Sequence, residues 1–262
     1  SKSSNVIKIC GSQFNHGGTR QLIVNQNPGY DIYVFMTQDA YLEDSQALSH
    51  ISRHFEDPSV GAVCGRQLAH LDATLLAQHA RLFNYPPITQ IKSLTDAPTL
   101  GIKTAFMSNS FAAYRGQALI EIGGFPEHVI LSEDMYATAK MLLAGYKVVY
   151  SGDAACRHSH NYTIIEEFRR YFDIGVFHAR EAWIRQAFGG AGGEGFRFIK
   201  SEIKFLGLRR MHLWPSAFVR NVGKLVAYKL GQMERFLPIF LKQRIGMYRG
   251  YWRSPFAKQS AK

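Results

Sequence analysis

The sequence has few cysteines. Its 262 residues include three, Cys10, Cys64 and Cys156, and no two of them form a C-x-x-C pair. An odd number of widely spaced thiols favours neither a disulfide framework nor a zinc site, because both need grouped cysteines. This composition indicates a reducing, cytoplasmic compartment.

Long apolar runs are also lacking. No stretch reaches the roughly 18 uninterrupted apolar residues of a spanning helix, and no basic-then-apolar signal peptide opens the chain. With 46% hydrophobic side chains, the chain can still bury a substantial core. We therefore expect a globular protein that does not cross a membrane. The first residue is Ser1, from which we expect a truncated or processed start.

Acidic residues are scarce in the last quarter of the chain. Residues 196–262 contain 15 Lys and Arg but two acids, a net charge of +13, whereas residues 1–195 carry a net charge of −2. The basic character of the protein therefore belongs to its C-terminal segment.

The first part of the chain alternates between strand-like and helical patterns. Short apolar runs at residues 6–9, 32–36, 60–64 and 148–150 predict strands, with helical stretches between several of them. Such alternation is typical of an α/β fold, so we expect a mainly parallel sheet flanked by helices.

Two helices are predicted from their ends and their spacing. Ser132 is a typical N-cap for a helix over residues 133–144, which Gly145 would end. Apolar residues at helical spacing predict one long amphipathic helix over residues 163–188.

A glycine-rich stretch, "FGGAGGEG", coincides with the change in charge. It lacks the Lys-Ser/Thr of a P-loop and follows a helix, so we interpret it as a hinge or linker, with nucleotide binding as the second choice. The predicted domains are residues 1–195, a catalytic α/β domain, and residues 196–262, a basic, aromatic-rich helical extension that associates with a membrane.

Three polar elements could carry chemistry. Asp39 follows a predicted strand, Glu133 and Asp134 begin a helix, and His158 and His160 follow the last strand. Carboxylate oxygens with imidazole nitrogens suit a divalent metal, and such ligands converge at one edge of a sheet. Each element also has an ordinary reading, as a strand-end cap, as charges that favour a helix start, or as structural histidines. Their joint occurrence in this order favours a functional site.

Four segments together carry a resemblance to a known family: "FNHGGTR", "VFMTQDAYL", "EDMYATAKMLLAGYKVVY" and "HSHNYTIIEEFRRYFDIG". The sequence resembles bacterial rhamnosyltransferases of the inverting family 2 glycosyltransferases, which have the GT-A fold. The similarity covers nearly the whole chain. It implies an α/β GT-A domain that binds a nucleoside-diphosphate sugar.

The resemblance also implies roles for individual residues. Asp39 matches the last acid of the family's D-x-D metal motif, although Thr37 stands in place of the first acid. His158 or His160 matches a later histidine ligand, so Mg²⁺ or Mn²⁺ is the expected cofactor. Asp134 matches the general base, with Glu133 as its neighbour.

A third group of residues is expected to contact the donor. Two of them match a segment that lies beside the nucleotide in relatives, and three arginines suit a diphosphate because guanidinium groups bind phosphate in a forked geometry. For the arginines, ordinary surface solvation is an equally good reading. The donor-contact candidates are His16, Arg20, Gln38, Arg66, Arg169 and Arg170. Relatives also have a strand, a helix and a second strand before this point, so either the sequence is truncated or part of the donor site is missing.

The basic C-terminal segment mixes cations with aromatic side chains. This mixture is typical of interfacial helices on an anionic membrane surface, where a lipid-linked acceptor would be met. Nucleic acid is the competing partner, but the sequence contains no recognisable nucleic-acid module, so we expect none to bind. A solvated basic face with aromatics packed on the catalytic domain is a third reading.

The resemblance implies an expected function. We expect transfer of L-rhamnose from dTDP-rhamnose, with inversion, to a cell-surface polysaccharide or lipid-linked oligosaccharide, at the inner face of the cell membrane. A catalytically inactive sugar-nucleotide-binding module and a basic nucleic-acid-binding protein are the alternatives.

Overall fold

The computed structural model describes residues 6–11 and 14–258. The strands are β1 (Ile32–Met36), β2 (Tyr41–Leu42), β3 (Val60–Leu68), β4 (Gln90–Lys92), β5 (Phe111–Arg115) and β6 (Lys147–Arg157). The helices are α1 (His16–Gln26), α2 (Ala47–Ser52), α3 (Leu75–Asn84), α4 (Ala97–Leu100), α5 (Gly116–Glu121), α6 (Glu133–Leu143), α7 (Ile164–Arg180), α8 (Ala182–Phe188), α9 (Glu194–Leu206), α10 (Trp214–Gln232) and α11 (Ile239–Ile245). Short 3₁₀ turns connect several of them.

One mixed sheet forms the centre of the molecule. Its order is β1-β5-β3-β6-β2, and β4 pairs with β6 beside this path. Among the described strands, β3 and β6 form the only parallel pair, so the expected parallel majority was wrong. A strand's own residues set its burial pattern but do not determine the direction of its neighbour, which depends on how the chain returns to the sheet.

The strand predicted at residues 6–9 was also wrong. Residues 6–11 form no strand among the residues that the structure describes, and Val6 is 81% exposed. An apolar run can form a strand only if another strand satisfies its backbone hydrogen bonds. The other predicted strands are found, and two of them extend further, as β3 and β6.

Helices cover both faces of the sheet and close two apolar layers. On one face α2 packs against β3, β5 and β6, through Ile51, Val63, Phe111 and Val149. On the other face lies the larger layer, which includes Tyr114, Leu142, Phe172 and Phe177. This packing leaves the carboxyl ends of β1, β3 and β6 for polar residues.

The C-terminal helices pack closely on α7. A Cβ at Gly175 would lie 2.2 Å from the carbonyl oxygen of Tyr228, and one at Gly231 would lie 2.1 Å from that of Phe172. Glycine is therefore required for α7 and α10 to approach this closely. The helical content expected after residue 195 is found, whereas the domain boundary itself stays a prediction. No helix in the described part of the chain is both long and apolar enough to span a bilayer.

The helix expected over residues 163–188 is two helices. α7 ends at Arg180, and Glu181 leaves helical geometry with φ −103° and ψ 48°. Its carboxylate accepts a hydrogen bond from Trp183 at 2.9 Å and lies 3.3 Å from His128. Tertiary contacts at this residue therefore override the continuous periodic pattern.

Candidate active site

The three predicted metal ligands lie together. Asp39 follows β1 in a turn that the N–H of Ala40 closes on the carbonyl of Thr37. His158 and His160 follow β6, and their ring nitrogens lie 3.3 Å and 3.6 Å from Oδ2 of Asp39. One donor atom from each of the three residues fits within 4.8 Å of the other two. Asp39 and the two histidines, which lie 119 and 121 positions further along the sequence, thus form one compact triad.

The second ring nitrogen of His158 is held by a buried glutamine. Nδ1 of His158 donates to Oε1 of Gln67 at 3.0 Å, and the Gln67 amide donates to Ser108 at 2.7 Å. This network assigns the proton of the neutral imidazole to Nδ1, which leaves the lone pair of Nε2 facing Asp39. The sequence analysis missed Gln67, although a polar residue at the end of an otherwise apolar strand was the available signal.

The triad fits a divalent cation. Burial lowers the pKa of His158 to about 4, so the ring is neutral at physiological pH. Nε2 of His158 and the Asp39 carboxylate are then two acceptors in close contact, and a cation between them would relieve their repulsion. A carboxylate oxygen with two imidazole nitrogens is a ligand set that first-row divalent metals accept.

The two candidate catalytic carboxylates are held by different partners. Glu133 is buried, and its Oε1 accepts hydrogen bonds from Arg20 at 2.7 Å and from the Asn109 side chain at 3.0 Å. Asp134 accepts the N–H of Asn109 at 3.1 Å and that of Met135 at 2.8 Å. Asn109 therefore bridges the pair, a contact that the sequence analysis did not foresee.

The environment of Asp134 suits a proton acceptor. Burial, and then the charge of the adjacent Glu133, raise the pKa of Asp134 to about 7. A general base works best when its pKa lies near the operating pH. The carboxylate of Asp134 is therefore poised to take up a proton under physiological conditions.

The backbone before this pair is strained. Ser132 has φ 61°, the only positive φ of a non-glycine residue among those described. α6 begins where predicted, but the Ser132 side chain makes no capping hydrogen bond, so the expected side-chain cap was wrong. A left-handed residue of this kind is costly and recurs beside functional sites. Here it turns the chain directly into Glu133 and Asp134.

Helix α1 brings two donor-contact candidates to Glu133. A Cβ at Gly17 would lie 1.8 Å from the carbonyl oxygen of Pro126, so only glycine allows this approach. Arg20 is engaged by Glu133 and by the carbonyl of His16. The His16 ring packs edge-on to Tyr248, with ring centroids 4.8 Å apart, and its Nε2 is buried without a hydrogen-bond partner.

Tyr248 reaches the site from the C-terminal segment. The N–H groups of Met247 and Tyr248 both donate to Oδ2 of Asp173, at 2.9 Å. Asp173 lies fully buried in α7, where burial raises its pKa to about 7. The segment after α11 is thus anchored beside His16, which local sequence patterns did not predict.

The remaining donor-contact candidates differ in their surroundings. Arg170 makes no hydrogen bond or ion pair with any described residue. Burial lowers the pKa of both His16 and His160, and the charge of Arg170 adds to this effect at each ring. Arg170 therefore lies near both α1 and the triad. Arg169 instead lies near Glu166, in the first turn of α7. Gln38 is exposed beside Asp39, and Arg66 donates to the carbonyl of Tyr85 at 3.3 Å.

Comparison with known proteins identifies relatives over most of the chain. A sequence profile described as "Glycosyl transferase family group 2" matches residues 39–241. The O-antigen chain rhamnosyltransferase RfbN of Salmonella typhimurium is 53% identical over 254 residues, covering 97% of this chain and 81% of the relative. WbaN of Salmonella anatum, also an O-antigen chain rhamnosyltransferase, is 53% identical over 253 residues, covering 96% of this chain and 80% of the relative.

A solved structure with low sequence identity shares the fold. The mannosyltransferase PcManGT of Pyrobaculum calidifontis, solved with GDP-Man and Mn²⁺, superposes with a TM-score of 0.54 at 15% identity. The match covers 85% of this chain and 67% of that one. The expected GT-A α/β fold is confirmed.

Proposed function

This chain belongs to glycosyl transferase family group 2, and from that premise we propose that it transfers L-rhamnose from dTDP-rhamnose to a growing O-antigen chain. The close relatives are O-antigen chain rhamnosyltransferases, and the chain covers about four fifths of their length. The observation that carries the proposal is the pairing of a metal-compatible triad with a carboxylate whose pKa lies near 7.

The chemistry is a displacement at the anomeric carbon. The acceptor hydroxyl oxygen forms a bond to that carbon while the bond to the diphosphate oxygen breaks, which inverts the configuration. Asp134 takes the hydroxyl proton. Asn109 orients Asp134 through its backbone N–H, and the ion pair of Glu133 with Arg20 partly offsets the repulsion between the two adjacent acids.

The leaving diphosphate needs positive charge. A divalent cation held by Asp39, His158 and His160 would supply it as a Lewis acid. Mg²⁺ and Mn²⁺ are the proposed ions. Arg170 is the proposed side chain for the diphosphate as well, because its guanidinium has no hydrogen-bond or ion-pair partner among the described residues and its charge acts on both His16 and His160.

Nucleotide binding tests the donor assignment. We expect dTDP with Mn²⁺ to raise the midpoint of thermal unfolding more than UDP or GDP does, because a ligand that binds the native state stabilises it. Asp39→Ala should abolish the metal-dependent part of the shift. Asp44→Ala, an exposed acid in the same loop region, is the matched control.

Turnover distinguishes an enzyme from an inactive module. The proposal requires release of dTDP from dTDP-rhamnose when an O-antigen acceptor is present. Donor binding without turnover under those conditions would favour the catalytically inactive sugar-nucleotide-binding module.

We also propose that the C-terminal segment rests on an anionic membrane surface at the inner face of the cell membrane. The two acids of residues 196–258 are buried: Glu202 pairs with Asn221, and Glu234 with Arg180 and Lys242. The exposed charges of this segment are therefore all positive. Its helices α9 and α10 also expose apolar side chains, namely Phe196, Ile199, Ile203, Phe218, Val219, Val222, Leu225 and Val226.

Vesicle flotation tests this surface. The protein should float with vesicles of phosphatidylglycerol and phosphatidylethanolamine, and less so with neutral phosphatidylcholine, because each surface cation contributes about 1 kcal/mol near anionic lipid. Phe218→Ser and Leu225→Ser should reduce flotation without unfolding the chain. Failure to float at physiological salt would refute the membrane proposal and leave the transferase assignment unaffected.

A further inference from the structure

A cavity lies beside the metal triad, on the side of the sheet that α3 covers. It has a volume of about 330 Å³ and lies between the carboxyl end of β3 and helix α3. Gln67 belongs to its wall and also holds His158. The cavity is therefore one side chain away from the proposed leaving-group site.

The cavity is lined by cations and by no acid. Its lining includes Arg66, Arg81 and Arg157. Arg157 is neutralised by Glu43, with nitrogen to oxygen distances of 2.6 Å and 2.7 Å. Neither Arg66 nor Arg81 has a carboxylate partner among the described residues. The cavity thus carries two positive charges that the protein itself does not balance.

Of these two arginines, Arg81 is the stronger indication of an anion-binding site. Its Nε is buried without a hydrogen-bond partner, and its guanidinium lies 5.6 Å from the ring centroid of Tyr85. A buried polar group without a partner is destabilising, and more so when it is charged. A guanidinium so placed is complementary to an oxyanion, and phosphate is the anion whose geometry it fits best.

The rim of the cavity is apolar and open. Leu71 is 84% exposed and Leu82 is 57% exposed, and both line the same cavity. On another side of α3, His79 contacts Ser201 at 3.0 Å and packs against Phe198 of α9. Helix α3 therefore lies between the cavity and α9 of the C-terminal segment.

We propose that this cavity binds the phosphate or diphosphate head of an amphiphile, with the attached apolar chain lying over Leu71 and Leu82. The proposal rests on the proposed function, and of the two acceptors that the resemblance implies it takes the lipid-linked one. Arg66 and Arg81 bind the phosphate oxygens. The donor diphosphate would bind separately, at the triad. The two phosphate sites would be close together, since burial and then the charge of Arg81 lower the pKa of His158.

Binding of farnesyl diphosphate, a short amphiphile of this class, tests the proposal. Titration calorimetry would be done with EDTA, so that the triad holds no metal. We expect Arg81→Gln to weaken farnesyl diphosphate binding about tenfold or more, since a charge-assisted hydrogen bond is lost. Binding of dTDP with Mn²⁺, measured separately, should change less than about twofold. Arg197→Gln, an exposed arginine on α9, is the matched control.

Two comparisons separate the head from the chain. Pyrophosphate and farnesol should each bind more weakly than farnesyl diphosphate. Leu82 is exposed, so Leu82→Ser is compatible with folding. This variant should bind farnesyl diphosphate more weakly than the wild type does, but should bind pyrophosphate equally well. If Arg81→Gln proves unstable, Arg81→Lys can replace it and should retain part of the affinity.

Three outcomes would overturn the proposal. If Arg81→Gln and Arg66→Gln both bind farnesyl diphosphate with wild-type affinity, the proposed contact between these arginines and the phosphate is refuted. An equal loss of dTDP binding in Arg81→Gln would make the cavity part of the donor site. If pyrophosphate binds as tightly as farnesyl diphosphate, the proposed contact of the apolar chain with Leu71 and Leu82 is refuted. Absence of dTDP binding and turnover in the wild type, by contrast, would refute the proposed function and not this site.

Discussion

The backbone N–H of Asn109 donates to Oδ2 of Asp134 across 3.1 Å. The same residue donates from its side chain to Glu133, and its neighbour Ser108 accepts from Gln67, which holds His158. One short segment before β5 thus contacts the candidate base and supports the candidate metal site. This segment therefore connects the two sites through hydrogen bonds.

Asp134→Asn should abolish transfer while leaving the fold and dTDP binding intact. The amide keeps the shape of the side chain but cannot accept the proton, and a general base contributes about 10²- to 10⁴-fold to the rate. Single-turnover rhamnose transfer is the measurement. Asp31→Asn, at an exposed carboxylate before β1, is the control. Transfer within a few-fold of the wild type would refute the assignment of Asp134.

The pH dependence of kcat/KM should report Asp134. Its pKa is raised to about 7 by burial and by Glu133, and only the ionised form accepts a proton. Activity should therefore rise with pH through about 7 and then level off. Glu133→Gln removes the neighbouring negative charge, so the acid limb should move to lower pH. A limb that stays in place, or moves higher, would contradict this coupling.

Gln67→Leu should weaken Mn²⁺ binding by about 10- to 100-fold, because the ring of His158 loses the partner that orients it. Electron paramagnetic resonance can count free Mn²⁺ during a titration without nucleotide, so the measurement does not depend on turnover. Gln67→Glu retains an acceptor for Nδ1 and should restore most of the affinity. Equal affinities in wild type and Gln67→Leu would show that Gln67 only fills space.

Arg170→Gln should weaken binding of dTDP with Mn²⁺ about tenfold, whereas Arg169→Gln should have little effect. Arg170 has no hydrogen-bond or ion-pair partner among the described residues and lies near His16 and His160, while Arg169 lies near Glu166. A hydrogen bond from a charged group contributes about 1.5 to 3 kcal/mol when it is made to an anion. Calorimetry on the two variants decides the assignment, and equal losses would contradict it.

Gly17→Ala should destabilise the protein by about 1 to 3 kcal/mol, since the added methyl group overlaps the carbonyl oxygen of Pro126 and displaces α1 from Glu133. Gly223→Ala is the control, because a Cβ there meets nothing within 4 Å and lies inside α10. That substitution should stabilise by up to about 1 kcal/mol through helix propensity. Urea denaturation of both variants gives the comparison, and unchanged stability of Gly17→Ala would argue against the close approach.

Local patterns in the sequence were sufficient for much of the fold. The strand at residues 32–36 and the start of α6 follow from apolar runs and charged helix starts, which depend on neighbouring residues alone. The directions of neighbouring strands in the sheet and the break at Glu181 do not follow from local patterns, because they depend on contacts between distant segments. The segment at residues 6–9 shows the same limit, since strand propensity has no effect without a partner strand.

The sequence by itself determined which residue types could perform the chemistry: a carboxylate after β1, two histidines after β6 and an acidic pair at the start of α6. Tertiary structure alone decided how they are used. It brought Asp39 within 3.3 Å of His158, paired Glu133 with Arg20, and buried Asp134 so that its pKa lies near 7. These properties arise from distance and desolvation, which belong to the folded chain and cannot be read from the order of its residues.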